Sequence, residues 1–246
     1  MKKFARIVGT GSYLPPRIIT NSELENSLDT TDEWITSRTG IKERRIVEDQ
    51  NTCDLALEAS INALEMAELK ASEIDLIILA TTTPDKIFPA TATTLQDRIG
   101  ASCPAFDIQA VCAGFVFALT TAQQYIENGV AENILVVGSE TMSKIVDWND
   151  RSTAVLFGDG AGAVIVSKDN TTGIKHAKLC SDGKYLSSLH VNNNGINETG
   201  TIEMMGNEVY RIAVNRLSDL AEETLKDCNM TPNDLAWMIP HQANIR

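Results

Sequence analysis

Asp75-Leu76-Ile77-Ile78-Leu79-Ala80-Thr81-Thr82 decides how this chain folds. The apolar run over 74–80 is unbroken apart from one aspartate, which predicts a strand buried on both faces. Just upstream, residues 52–68 predict a helix, with Leu55, Ala59, Ala63, Met66 and Ala67 on its buried side and Glu58 and Glu65 off it. Downstream, residues 92–99 predict a helix, 105–110 a strand, 113–126 a helix with few polar residues, and 134–137 another buried strand. Helices alternating with buried strands mean α/β. The order of long amphipathic helix, polar turn and apolar strand after Asp-Leu returns at 207–226 and Asp234-Leu235, where 235–239 predict a last strand. That echo predicts a duplicated α/β half.

Composition narrows the function. The chain has 246 residues, 43% hydrophobic and 22% charged, with a formal net charge of -12. That suits a large core or two sub-domains. The acidic excess argues against non-specific binding to nucleic acid or an anionic membrane. No stretch reaches the ~18 apolar residues of a membrane span. Lys2, Lys3 and Arg6 precede no apolar signal core. Five cysteines, odd in number and without CxxC spacing, argue against a disulfide framework or zinc site. No metal is expected, and a reducing cytoplasmic setting is.

Chemistry gathers at Asp107-Ile108-Gln109-Ala110-Val111-Cys112-Ala113-Gly114-Phe115. A thiol between a strand and a helix lies at the positive end of the helix dipole, which favours the nucleophilic thiolate. His241 follows the expected strand 235–239, and strand carboxyl ends are where α/β folds place functional groups. Gly9-Thr10-Gly11 and the glycines of 158–162 match neither GxGxxG nor a Walker loop, so dinucleotide binding is rejected in favour of tight turns or close packing. Residues 153–157 and 163–166 predict a hairpin across the second cluster. Thr30 and Glu33 form a capping-box pattern for a short helix ended by Gly40. The Asn-, Gly- and Ser-rich residues 183–200 predict a surface loop. Trp34, Arg38 and Arg151 supply an indole and two guanidiniums that can sandwich a purine, although spacing alone favours an anchor and surface arginines.

Several segments in shared order resemble the β-ketoacyl-acyl-carrier-protein synthase III family. They are Gly9-Thr10-Gly11-Ser12-Tyr13-Leu14-Pro15, Thr31-Asp32-Glu33-Trp34-Ile35 with Arg38-Thr39-Gly40-Ile41, and Cys103-Pro104-Ala105-Phe106-Asp107 with Cys112-Ala113-Gly114-Phe115. Asp150-Arg151, Phe157-Gly158-Asp159-Gly160-Ala161-Gly162-Ala163, Gly206-Asn207-Glu208-Val209 and Pro240-His241-Gln242-Ala243-Asn244-Ile245-Arg246 complete the set. The resemblance implies a thiolase-like α/β fold of duplicated halves in α-β-α-β-α layers. Residues 1–170 would form the half carrying the nucleophile, and 171–246 the start of a second, incomplete half.

The resemblance also implies an activity, the start of type II fatty-acid biosynthesis. Acetyl-CoA acylates Cys112, and condensation with malonyl-acyl-carrier protein gives acetoacetyl-acyl-carrier protein, CoA and CO2, with His241 polarising the malonyl thioester. Acetyl-CoA is a substrate and no cofactor is implied. Trp34, Arg38 and Arg151 match the CoA adenine site, with Thr30 beside it. Gly206 and Asn207 match the pantetheine tunnel, and Phe88 and Leu189 its apolar lining. Met142 and Leu156 join Phe88 and Leu189 as residues shaping the acyl pocket. Gln242, Ala243, Asn244, Ile245, Arg246 and Arg211 match the carrier-protein contact, and the net acidic charge predicts that carrier binding is salt-sensitive. A homodimer is expected, with 134–137 and the Met142 region as its interface. The family's asparagine beyond the histidine is not among these residues, so condensation is expected to be impaired and a sheet edge exposed. The alternatives are an acyltransferase of specialised metabolism and a non-condensing acyl-CoA or carrier-binding scaffold.

Overall fold

The computed structural model describes residues 3–193 and 199–245. Its strands are β1 (Phe4–Tyr13), β2 (Arg17–Thr20), β3 (Glu43–Ile46), β4 (Leu76–Ala80), β5 (Ala105–Ile108), β6 (Asn133–Thr141), β7 (Asp159–Asp169), β8 (Leu189–Asn193) and β9 (Thr199–Met204). Its α-helices are α1 (Asn21–Glu25), α2 (Asp32–Thr39), α3 (Thr52–Ala67), α4 (Thr91–Ile99), α5 (Gly114–Glu127), α6 (Arg151–Ala154) and α7 (Gly206–Asp227). They fall into two compact units, neither continuous in sequence. β2 and β3 pair as a two-stranded ribbon.

The first unit comprises Met1–Arg17, Arg45–Thr141 and Asp159–Lys175. Its sheet runs β1-β7-β6-β4-β5. β5, β4 and β6 are parallel, while β7 and β1 join antiparallel. The two-residue period of a strand sorts the side chains. Ile77, Leu79, Leu135, Val137, Ala163 and Ile165 are buried with Leu55, Ala59 and Ala63 of α3 and Ala92 and Leu95 of α4. Leu76, Ile78, Ala80, Ile134, Val136, Val164 and Val166 are buried on the other face with Ala118, Ala122 and Ile126 of α5. Each large aliphatic side chain buried this way contributes about 1.5–3 kcal/mol relative to exposure. The apolar run over 74–80 thus reads correctly as a doubly covered strand. Residues 134–137 lie at the middle of this sheet, paired on both sides and buried. The expectation that they form a dimer interface is therefore overturned.

Glycine fixes how closely α3 approaches β1. A β-carbon on Gly11 would stand 2.1 Å from the Ala59 carbonyl oxygen and 2.4 Å from the Ala63 nitrogen. On Gly9 it would meet the Ala63 carbonyl oxygen at 2.4 Å. This first glycine cluster is close packing within a strand. The second corrects the expected hairpin: β7 runs straight through Gly160 and Gly162, pairing with β6 and β1, and α6 replaces the strand expected before it. A run of glycines signals a turn locally, but here strands on both sides hold it extended.

The second unit comprises Ile18–Arg44, Met142–Gly158 and His176–Arg246. Arg44 is buried at its centre, donating to Asn21 Oδ1 (2.9 Å), the Val155 carbonyl (2.9 Å) and the Ile19 carbonyl (3.4 Å). Burial lowers its pKa from the ordinary value. Helix α2 is capped by Thr31, whose hydroxyl accepts the Trp34 N–H at 3.1 Å, so the capping threonine is one residue later than expected. Gly40 ends it in the left-handed conformation, φ 77°. The segment expected as a loop holds a hairpin, β8 with β9, while 194–198 lie outside the described residues. α7 forms as expected, but none of its residues is buried. The strand expected over 235–239 does not form. The segment is irregular, with Trp237 and Ile239 exposed, because a strand needs a neighbour and none pairs with it among the described residues.

Candidate active site

In the first unit, three parallel strands deliver chemistry to one end of the sheet. Ala80 pairs with Ile108 and Gly138, so the exits of β4, β5 and β6 lie side by side. β5 leads to Cys112, β4 to Thr81, Thr82 and Thr83, and β6 ends in Ser139-Glu140-Thr141. Asp107, on β5, anchors the neighbouring helix by accepting the N–H groups of Thr91 and Ala92, each at 2.7 Å. That satisfies two donors at the start of α4.

Cys112 occupies a 3₁₀ turn, Val111–Ala113, directly before α5. Val111 has φ 49°, a left-handed conformation that a β-branched residue adopts only under constraint. Gly114 lets the turn close on β4: a β-carbon there would lie 3.2 Å from Ala80 Cβ. The sequence expectation of a dipole-favoured thiolate fails in direction. Cys112 is solvent-exposed, yet enough protein surrounds its sulfur for burial to push the thiol up from its ordinary value. Its own N–H pulls the other way, and Glu140 adds to the rise. Burial is the largest of these effects, and the residue sits two positions before the helix rather than inside its first turn.

Glu140 is the residue that sequence reasoning missed. Its carboxylate accepts the Thr82 N–H (2.8 Å) and hydroxyl (2.9 Å), the Thr83 N–H (3.1 Å) and hydroxyl, and the Thr81 hydroxyl (3.3 Å). Burial raises its pKa despite these hydrogen bonds. The signal in the sequence was a lone acid closing an apolar strand, opposite three consecutive threonines. Beyond them, the Thr83 carbonyl accepts the Thr52 hydroxyl, and Asp85 accepts the Cys53 N–H at 3.2 Å. The loop rises from this pinned base to exposed Ile87 and Phe88.

The second unit gathers the aromatic and basic residues. The guanidinium carbons of Arg38 and Arg151 lie 4.6 and 4.8 Å from the Trp34 ring centre. Arg151 also donates to the Asp29 carbonyl at 2.6 Å. The Thr30 hydroxyl is buried with no hydrogen-bond partner among the described residues. Leu189 pairs with Met204, two residues before Gly206 and Asn207 at the start of α7. Ser188 ties this corner, accepting the Met205 N–H (2.8 Å) and donating to Glu208 (2.9 Å). His241 is exposed in irregular chain rather than at a strand end. The segment after it folds back on α2: the Ile245 N–H donates to the Thr39 carbonyl at 3.1 Å, and Ile245 packs on Gly40. Gln242, Ala243 and Asn244 lie within that return, and Arg246 lies outside the described residues. Arg211 stands apart from these, on α7 beside Glu208, Asn215 and Tyr185 around a shallow cavity of about 250 Å³.

Comparison with known proteins identifies the family and the fold. Residues 106–183 match the model of the 3-oxoacyl-[acyl-carrier-protein (ACP)] synthase III family. The β-ketoacyl-[acyl-carrier-protein] synthase III of Vesicomyosocius okutanii subsp. Calyptogena okutanii is 67% identical over 246 residues, all of this chain and 78% of that protein. A protein of the same name from Neisseria meningitidis serogroup A is 52% identical over 251 residues, 99% of this chain and 78% of that protein. The crystal structure of 3-oxoacyl-[acyl-carrier-protein] synthase III from Aquifex aeolicus superposes with a TM-score of 0.93 at 45% identity, covering 98% of this chain and 77% of that one. The priming β-ketosynthase of the R1128 polyketide pathway superposes at 0.94 with 38% identity, covering 99% and 76%. The α/β architecture is the thiolase-like fold, and the chain belongs to the β-ketoacyl-[acyl-carrier-protein] synthase III family.

Proposed function

We propose that Cys112 is the acyl-accepting nucleophile of a condensing enzyme that initiates fatty-acid biosynthesis. The enzyme class follows from the family, and the residue roles are our reading of this chain. The Cys112 sulfur attacks the acetyl carbonyl of acetyl-CoA. The bond to the CoA sulfur breaks, and CoA leaves as the thiol carrying the Cys112 proton. Malonyl-acyl-carrier protein then loses CO2, and its enolate attacks the acetyl thioester to give acetoacetyl-acyl-carrier protein. His241 supplies an N–H to the enolate oxygen, the kind of donor that contributes a few kcal/mol to such a step. No cofactor enters this sequence.

The observation that carries the reading is the constrained turn: Val111 at φ 49° and glycine at position 114 place the thiol at the exit of three parallel strands. Trp34 flanked by Arg38 and Arg151 supports a CoA adenine site, with Thr30 close by in sequence offering an unpartnered hydroxyl. Leu189, Gly206 and Asn207, held together by Ser188, support a pantetheine wall, and exposed Phe88 an apolar lining. The return of 242–245 onto α2 supports a carrier-protein contact, to which we add Arg246 and Arg211. For a homodimer we favour the open edge of β5, which pairs only with β4 among the described residues, over the sheet interior. Five unpaired cysteines fit a cytoplasmic enzyme. Division into thiolase-like halves at 1–170 and 171–246 is part of the same proposal.

Incubation with acetyl-CoA followed by peptide mass spectrometry tests the reading. An acetyl thioester on Cys112, absent in Cys112→Ser, is expected. Acetyl transfer to another residue, or none in a folded protein, overturns it. Addition of malonyl-acyl-carrier protein then reads condensation separately, through release of CO2.

A further inference from the structure

We infer that Arg44 is a positioning residue for the cluster of Trp34, Arg38 and Arg151: its buried guanidinium ties helix α2 to helix α6 and so sets how the cluster meets the adenine of CoA. What the cluster binds rests on the function proposed above; the tie stands on geometry within the second unit. Arg44 enters from β3 and reaches two ways. Its Nη2 donates to the carbonyl of Val155, the residue that closes α6, at 2.9 Å. Its Nη1 donates to Asn21 Oδ1 at 2.9 Å. Asn21, buried at the start of α1, passes the tie on. Its amide nitrogen donates to Asp32 Oδ1 and to the Ile41 carbonyl, each at 2.8 Å, with the Thr36 hydroxyl at 3.2 Å. One amide thus grips α2 at both ends, because Asp32 is its first residue and Ile41 follows its Gly40 cap.

Helical spacing keeps this grip clear of the cluster. Asp32 and Thr36 are i, i+4 neighbours on one side of α2. Trp34 and Arg38 are also i, i+4 neighbours, but two residues further on, about 200° around the helix at ~100° per residue. They lie on the opposite side, where Arg151 meets the Trp34 ring at 4.8 Å. The Asp29 carbonyl holds Arg151 at 2.6 Å on the exposed side. Arg44 supplies the buried tie. A guanidinium donates in several directions from a rigid plane, which a single ammonium does not. The acceptors of Arg44 are two backbone carbonyls and one amide, all uncharged. Well-packed apolar residues often fill such a place as well as a buried charge or better. What the arginine adds over an apolar side chain is direction.

Arg44→Met, which keeps an unbranched buried side chain but removes the donors, tests this in two ways. The first needs no ligand. In nitrogen-15 spectra the guanidinium N–H groups of Arg38 and Arg151 should be shifted upfield by the Trp34 ring current. In Arg44→Met the Arg151 shift should collapse, while the Arg38 shift persists because Arg38 shares a helix with Trp34. The second compares two acetyl donors. The acetyl-CoA concentration for half-maximal Cys112 acylation should rise about fivefold or more, with the saturated rate within about twofold of wild type. Acylation by acetyl-pantetheine, which lacks the adenosine, should stay within about twofold. A merely structural role would erase both ring shifts and slow both donors alike. An Arg151 shift that survives in folded Arg44→Met overturns the tie. Equal losses with the two donors, or unchanged use of acetyl-CoA, overturn its bearing on the adenine. If wild type is acylated by neither donor, the adenine reading fails, and the ring shifts still decide the tie. Should Arg44→Met fail to fold, Asn21→Asp keeps an acceptor for Arg44 but turns an oxygen toward Asp32, and the same shifts and donors decide.

Discussion

Gly11→Ala should be among the most damaging single-methyl changes in this protein, and Gly162→Ala among the mildest. The two positions are close neighbours in the sheet: Gly11 pairs with Ala163, and Gly162 with Ser12. At Gly11 the new carbon would meet the Ala59 oxygen at 2.1 Å, the Ala63 nitrogen at 2.4 Å and Asn62 Cβ at 2.9 Å. Two of those atoms are helix backbone and cannot rotate away, so α3 as a whole must lift from β1. Overpacking of a core typically costs 1–3 kcal/mol. The rigid obstacle puts this case at about 3 kcal/mol. For a chain of this size that is roughly 6–12 °C in Tm, at 2–4 °C per kcal/mol. At Gly162 no atom lies within 4 Å of the added carbon and φ is not left-handed, so alanine should leave stability unchanged or raise it by up to about 1 kcal/mol. Thermal unfolding of both variants, read by far-ultraviolet circular dichroism, is the assay. Equal Tm values for the two, or a Gly11→Ala loss below about 1 kcal/mol, would refute the account of how α3 sits on the sheet.

Two further outcomes are expected. Arg151→Ala removes one guanidinium from Trp34 and should raise the acetyl-CoA concentration needed for half-maximal Cys112 acylation about five- to thirtyfold, the equivalent of 1–2 kcal/mol, with the saturated rate little changed. Asp150 caps α6. Burial opposes its ionisation, but the Ser152 hydroxyl and N–H and the Thr153 hydroxyl prevail and hold its pKa below the ordinary value. A depressed carboxyl contributes stability that is present above the unfolded value of about 3.9 and disappears as pH falls through the folded value. Asp150→Ala should therefore cost about 1 kcal/mol at pH 7. That deficit should shrink as pH drops below 4, measured by urea unfolding across pH.

Most of the sheet unit is written in local sequence. The runs at 74–80 and 134–137 could only be strands covered on both faces, and Leu55, Ala59 and Ala63 mark the side of α3 that reaches them. Cys112 was legible because a strand, a thiol and an apolar helix follow one another. What escaped depends on partners distant in sequence. β7 passes through glycines that locally signal a turn, and only β6 and β1 on either side keep it extended. The apolar residues 235–239 look like a strand, but pairing decides strands, and among the described residues they have none. The upward shift of the Cys112 thiol comes first from burial among elements that only sheet pairing brings together, and Glu140, 28 positions further along the chain, adds to it. Thr30 and Thr31 both precede an acidic helix start, and the choice between them rests on which hydroxyl meets an N–H.

Val111 has a consequence for how this protein can evolve. Its backbone is held in a conformation where glycine would sit without strain, and its side chain is largely in solvent. Substitution by glycine would relieve the strain but widen the range of turns open to the adjoining Cys112. Selection for stability and selection for a well-placed sulfur thus pull in opposite directions at one residue. A heat-adapted descendant has little room to gain at that turn and would instead be expected to accumulate its stabilising changes away from it.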